Sequence, residues 1–266
     1  MIIHKQLKNR KEVYNFITGD KILDVGGGSL PCGKANYIID IMPYEFANLK
    51  ESWPFFEKPS ACKKENYSQH DICSRKPFPY PDKFFDFSIC SHTLEDIRDP
   101  IWVLSEIARV SKAGYIETPS KQMERSKVES NYFSGYYHHR WLIELNNDKV
   151  KFYFKYAFVH AHFMFSEKPK TFSEMTMNFI WKDNIEGYEH ANPMGPGIHT
   201  LIELSPNNNV NLAEEYNLRI HSNNYFLRKI VNRLKKIIVF RYIINLLKKS
   251  KFFQNILNIK YKSVHD

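Results

Sequence analysis

The sequence is short of the features that sort a chain quickly. Its 266 residues include four cysteines, Cys32, Cys62, Cys73 and Cys90, and no two of them form a C-x-x-C. That spacing offers neither a zinc knuckle nor a dithiol redox pair, and it points to a reduced, intracellular protein. Long apolar runs are missing as well. The most apolar stretch, Ile237 to Leu247, is about half as long as a membrane span and contains Arg241. The opening "MIIHKQLKNRKEVYNF" is charged and has no apolar core, so no signal peptide is expected. No internal repeat or low-complexity segment stands out. Glycine is scarce, ten in all, yet three are consecutive.

One end of the chain nearly lacks acid. Residues 225–266 carry eleven Lys or Arg and a single acid, Asp266, for a net +10. Residues 1–224 hold 27 basic and 28 acidic residues, so the overall +9 belongs to the tail. Within it Leu227, Ile230, Val231, Leu234, Ile237 and Ile238 trace a helical apolar stripe, with Lys and Arg over much of the rest. Such a helix suits an anionic membrane surface, a protein partner, the body of the chain or a second copy. Nucleic acid is not expected, because the body does not continue the basic track. No Pro or Gly follows Pro206, which suggests a main domain over 1–206 and a basic helical tail over 207–266.

The hydrophobic content of 43% can build a sizeable core. Residues 5–18 read as a short leading helix. "KILDVG" and "NYIIDI" read as buried strands, with too few residues between them for a normal crossover helix. "YSQHDIC", "FFDFSICSH" and "YIETPS" supply three more strands. "DPIWVLSEIARVSK" has helical spacing, with Asp99 as cap, Pro100 in the first turn and Ala113-Gly114 as the stop. "KVKFYFKYAFV" is strand-like. The expected fold is α/β, a doubly wound and mostly parallel sheet, whose ligand lies beyond the carboxyl ends of the strands.

Gly26, Gly27 and Gly28 stand at such an end. Glycines let backbone N–H groups approach a nucleotide-type cofactor closely. The dinucleotide fingerprint G-x-G-x-x-G is broken, because Pro31 takes the place of the third glycine. Asp24, two residues before the first glycine, suits a ligand with an ammonium group and would repel a pyrophosphate. S-adenosylmethionine carries that ammonium. Asp40 can accept from both ribose hydroxyls, Ile41 and Met42 offer an apolar face to adenine, and Asp71-Ile72 can accept from its amino group.

The series "LDVGGGS…NYIID…HDI…FPYPDKFFDFSICSHTLEDIRDP…SEIARVSKAGYIETPS" resembles the class I S-adenosylmethionine-dependent methyltransferases over roughly residues 20–120. The short loop to the second strand, "YIETPS" and a following His139-Arg140-Trp141 resemble a subgroup from bacterial capsular and cell-surface polysaccharide genes. The resemblance implies a Rossmann-like fold and cofactor contacts from Asp24, Gly26, Gly28, Asp40, Asp71 and Ser91.

A methyl acceptor must be aligned and, if it is a hydroxyl, relieved of its proton. The candidates are His92, Glu95 and His139. If a helix starts near His92, then His92, Glu95 and Asp96 share a face, and His139 completes a set that suits Mn2+ or another divalent metal. The set is similar to the manganese site of small-RNA 2′-O-methyltransferases, with H-x-x-E-D in place of E-x-x-E-H. A metal-free His base, or Glu95 and Asp96 serving only as helix-terminal charges, stays open beside it. Tyr137, His138, Arg140 and Trp141 suit stacking and hydrogen bonding to a sugar.

The expected activity is methylation of a hydroxyl on a sugar or nucleotide-linked precursor in surface-glycan biosynthesis. The alternatives are a phosphate-linked acceptor such as a capsular phosphoramidate, or a non-catalytic scaffold at the membrane. The expected location is cytoplasmic, with the inner membrane face open to the tail.

Overall fold

A computed structural model describes residues 1–54, 58–130, 133–156, 160 and 169–190. The chain divides between Pro196 and Gly197 into two units, and the described residues belong to the first. The boundary expected at 206/207 and the basic tail lie outside the described residues.

A seven-stranded sheet forms the centre. Its strands are β1 (Ile2–Lys5), β2 (Ile22–Val25), β3 (Tyr37–Asp40), β4 (Tyr67–Gln69), β5 (Phe87–Ser91), β6 (Ala113–Pro119) and β9 (Thr176–Lys182), in the spatial order β1-β9-β6-β5-β2-β3-β4. The five strands β2 to β6 pair in parallel. β9 runs antiparallel to β6, from Ala113 against Lys182 to Pro119 against Thr176. This is the doubly wound, mostly parallel, Rossmann-like sheet expected from the sequence. The chain moves outward from β2 through β3 to β4, then returns to β5 on the other side of β2. The switch point, where such sheets open a crevice, therefore lies between β2 and β5.

Strand alternation distributes the apolar side chains between two faces. Leu23, Val25, Cys90, Ile116, Phe179 and Trp181 join one core with Val103, Leu104 and Ile107 of helix α2 (Pro100–Val110). Ile143, Val150 and Phe152 close that core from a smaller sheet of β7 (Trp141–Asn146), β8 (Lys149–Phe154) and β10 (Glu186–Glu189). Ile22, Phe87, Ile89, Tyr115 and Ile180 form the opposite core with Leu7, Val13, Ile17 and Trp53. Asn147 and Asp148, both at positive φ, make the two-residue turn between β7 and β8.

Several local expectations are corrected. The leading helix over 5–18 shrinks to α1 (Arg10–Val13), capped by the Asn9 side chain. Residues 2–5 instead take the open edge of β9, and the Met1 amino group donates to the carbonyls of Lys182 and Asn184. Helix α2 keeps its predicted start, since Asp99 accepts from Trp102 N, but it ends at Ser111. Lys112 N already donates to Phe85 O, so Ala113 and Gly114 open β6. Between β2 and β3 there is no helix, as the short spacing predicts.

Candidate functional site

β2 ends against the glycine turn. Gly26 has φ +78°, and a Cβ there would lie 2.5 Å from Thr93 Oγ1. At Gly27 a Cβ would meet the Asp24 carboxyl at 2.5 Å. The turn thus packs onto the end of β5 on one side and onto Asp24 beneath it. Asp24, expected to face a ligand ammonium, is buried under the turn and outside the cavity wall, and it accepts from Cys32 N at 2.6 Å, tying down the loop. Burial raises this carboxyl to about 7.

Beyond the turn lies a cavity of about 440 Å³, within the usual range for small-molecule sites. Gly26, Asp40, Ile41, Met42, Asp71, Ile72 and His92 line it, together with Ser29, Thr93, Asp96, Arg98 and Arg140. Asp40 is held rigidly, accepting from Gly28 N at 2.9 Å on one oxygen and from Met42 N at 2.8 Å on the other. Each oxygen keeps a lone pair for a ligand hydroxyl. Ile41 is 65% exposed here, a large apolar side chain beside a fixed carboxylate.

Asp71 is already engaged. Arg98 donates to one oxygen at 2.7 Å and Cys73 N to the other at 2.9 Å, and the Arg98 bond holds its carboxyl below the usual range. Gly27, Gly28 and Ser91 support the cavity without lining it. Ser91 instead donates to Glu117 at 3.2 Å.

Glu117, in the middle of β6, is fully buried at the centre of a charge network that the sequence reading passed over. Arg10 donates to it through Nε at 3.0 and 3.2 Å and through Nη2 at 2.5 Å. Tyr115 donates at 2.6 Å, and His92 Nε2 stands 2.9 Å away. Burial opposes the charge, but His92 and Arg10 outweigh it and lower the carboxyl to about 2. On its other side His92 Nδ1 lies 3.2 Å from Glu95. Burial lowers the imidazole, yet the two carboxylates raise it to about 10. His92 is an imidazolium at neutral pH. Its backbone is left-handed, with φ +52°.

His92 also borders a second cavity of about 720 Å³, with Asn9, Arg10, Lys11, Pro119, Met123, Tyr136, Phe172 and Met175 among its walls. His92 thus lines both cavities. Arg10 and Glu117 carried a faint sequence signal, an acid inside an otherwise buried strand and a base within reach of it. The residues from helices α3 (Lys121–Glu124) and α4 (Phe172–Met175) carried none.

The expected metal set does not assemble. His92 begins a turn rather than a helix, and its nitrogens, with Glu95 Oε1, are used within the Glu117 network. His139 is buried elsewhere, its Nδ1 2.5 Å from Glu124 and its Nε2 3.5 Å from Asp96. The residues that gather are Asp96, His138 and His139. Of the expected sugar contacts, Tyr137 and His138 are exposed and Arg140 lines the smaller cavity. Trp141 belongs to the core. It opens β7, packs on Phe152 and Phe154, and donates to Ile97 O at 2.8 Å.

Residues 32–116 match the methyltransferase domain family, just under a third of the chain. Similar solved structures include a methyltransferase from Thermotoga maritima described as a possible histamine N-methyltransferase. It shares 16% identity over 44% of this chain and 51% of that one, with a TM-score of 0.30. An S-adenosylmethionine-dependent methyltransferase from Mesorhizobium loti is 11% identical over 55% and 63% of the two chains, with a TM-score of 0.30. One from Methanosarcina mazei is 16% identical over 68% of this chain and all of that one, with a TM-score of 0.37. The chain thus spans about half to two thirds of the first two. No curated protein matches it. The family match begins four residues after Gly28 and covers β3, β4, β5, α2 and the start of β6, and with them Asp40, Asp71, His92 and Asp96. It supports a methyltransferase domain over that segment.

Proposed function

We propose that the chain transfers a methyl group from S-adenosylmethionine to a hydroxyl of a sugar or nucleotide-linked sugar in surface-glycan biosynthesis. The observation that carries this reading is that His92, just after β5 at the switch point of the sheet, lines both cavities. The residues of the smaller cavity fit the cofactor. Asp40 is fixed for ribose hydroxyls, Ile41 offers an apolar face beside it, and the turn at Gly26 is bare. When bound, the cofactor supplies a methyl group on a positively charged sulfur, whose transfer to an oxygen releases the hydroxyl proton. The larger cavity would hold the acceptor.

His92 does not suit a general base, because its ring is already charged between Glu95 and Glu117. Its part is to hold the wall between donor and acceptor, where exclusion of water and fixed orientation matter most. The other expected bases do not replace His92, since Glu95 is bound in the same network and His139 lines neither cavity. Arg10 and Lys11 stand beside His92 in the walls of the larger cavity, and the Arg10 and His92 charges are balanced there by Glu117 and Glu95.

Calorimetric titration of S-adenosylhomocysteine into the full chain tests the reading. Binding that weakens at least about tenfold in Asp40→Ala is expected, given the charge-assisted bonds involved. A folded protein that binds none would favour the scaffold alternative.

A further inference from the structure

We infer that Asp96, His138 and His139 form a divalent transition-metal site at the edge of the smaller cavity. His139 Nε2 lies 3.5 Å and His138 Nε2 4.0 Å from the same Asp96 oxygen, and the three ligand atoms all fall within 4.8 Å of one another. Both separations exceed a hydrogen bond. That Asp96 oxygen is buried and has no hydrogen-bond partner, an arrangement that needs a reason. Three ligands each roughly 2.1 Å from a tetrahedral cation stand about 3.4 Å apart. The observed spacing is this arrangement slightly opened, and half-exposed His138 is free to close it.

The surroundings of the two rings point the same way. Behind His139, Nδ1 meets the buried Glu124 at 2.5 Å; behind His138, Nδ1 faces Glu129 at 3.7 Å. His139 thus shows the outer-shell pattern of a metal-binding histidine, one nitrogen bonded to a carboxylate and the other turned to the gap, while His138 Nδ1 only faces Glu129 beyond hydrogen-bond distance. Lys155 holds Glu124 from its far side at 2.5 Å. The backbone is fixed too. Arg140 N and Trp141 N donate to Glu95 O at 2.7 and 3.1 Å, which docks the His-His segment on the turn that carries Asp96.

Two imidazoles and one carboxylate, with no thiolate, select Mn2+, Fe2+, Co2+ or Zn2+ over Mg2+ and Ca2+. Three protein ligands would leave coordination positions for solvent or a ligand oxygen. Chemistry at those positions would rest on the methyltransferase reading. The site itself does not.

The test is titration of Co2+ alone into chelator-stripped full-length protein, followed by calorimetry and by the visible absorption of nitrogen-ligated cobalt. One equivalent is expected to bind. Affinity should fall about tenfold or more in His138→Ala and in Asp96→Asn, fall in Glu129→Gln, and stay unchanged in His92→Asn. His138 is exposed enough that its loss leaves the fold intact, as circular dichroism would verify. Failure to take up Co2+, or uptake indifferent to His138→Ala and Asp96→Asn, would overturn the site. Because no S-adenosyl ligand is present, that failure is separate from any failure of the cofactor reading.

Discussion

At the scale of single residues, His92 and Glu117 dominate the chemistry of the strand ends, and their charges can be read by pH. The folded His92 ring is raised from 6.5 to about 10, so the stability it lends is fully present below pH 6.5 and is lost as pH rises toward 10. Glu117 is lowered from 4.5 to about 2, so its contribution is full above pH 4.5 and is lost as pH falls through 2. The combined contribution of His92 and Glu117 is therefore largest between about pH 4.5 and 6.5. The urea midpoint of the wild type should decline from pH 6.5 to 10 more steeply than that of His92→Gln. Parallel curves for the two proteins would show that the ring is not held as an imidazolium. Part of this was visible in the sequence. "YIETPS" placed a carboxylate inside an apolar strand, and Ser91-His92 stood at the end of the neighbouring one. What one dimension could not show is that Arg10, over a hundred residues away from Glu117, comes to neutralise it.

At the scale of elements, the glycine turn is the joint on which the cofactor reading depends. Gly26→Ala would put a side chain at φ +78° and 2.5 Å from Thr93, so β2 could no longer turn tightly against the end of β5. The cost should exceed about 1 kcal/mol by urea denaturation. S-adenosylhomocysteine affinity should drop at the same time, because the turn forms the cavity wall. Unchanged stability and affinity would mean that the turn has slack to absorb the methyl group. The parallel strands were legible because each is a short apolar run ending at a turn signal, and α2 because Asp99-Pro100 announces its start. β1 and the pairing of β9 were not legible. β1 is mostly exposed and shows no strong alternation, and its place is set by a sheet edge built from residues near 180. The burial of Asp24 was not legible for a related reason, since it depends on the loop that returns at Cys32.

At the scale of the whole molecule, charge and chemistry are divided along the chain. Every side chain assigned above to the cavities or the metal site lies within residues 1–190, in a body that is close to neutral, whereas residues 225–266 carry +10. Among the described residues no helix is long and apolar enough to cross a membrane. A basic tail beside a nearly neutral body is a charge distribution that an anionic surface would attract through the tail. The full chain should therefore bind vesicles containing phosphatidylserine at low salt and release them as ionic strength rises, because each Lys or Arg contributes only within a Debye length. Replacing Lys235, Lys236, Lys248 and Lys249 together by Glu should abolish that binding and leave S-adenosylhomocysteine affinity unchanged. Absence of vesicle binding even at low salt would instead assign the tail to a protein partner or a second copy. Loss of cofactor affinity in the same variant would show that the two parts of the chain are not independent.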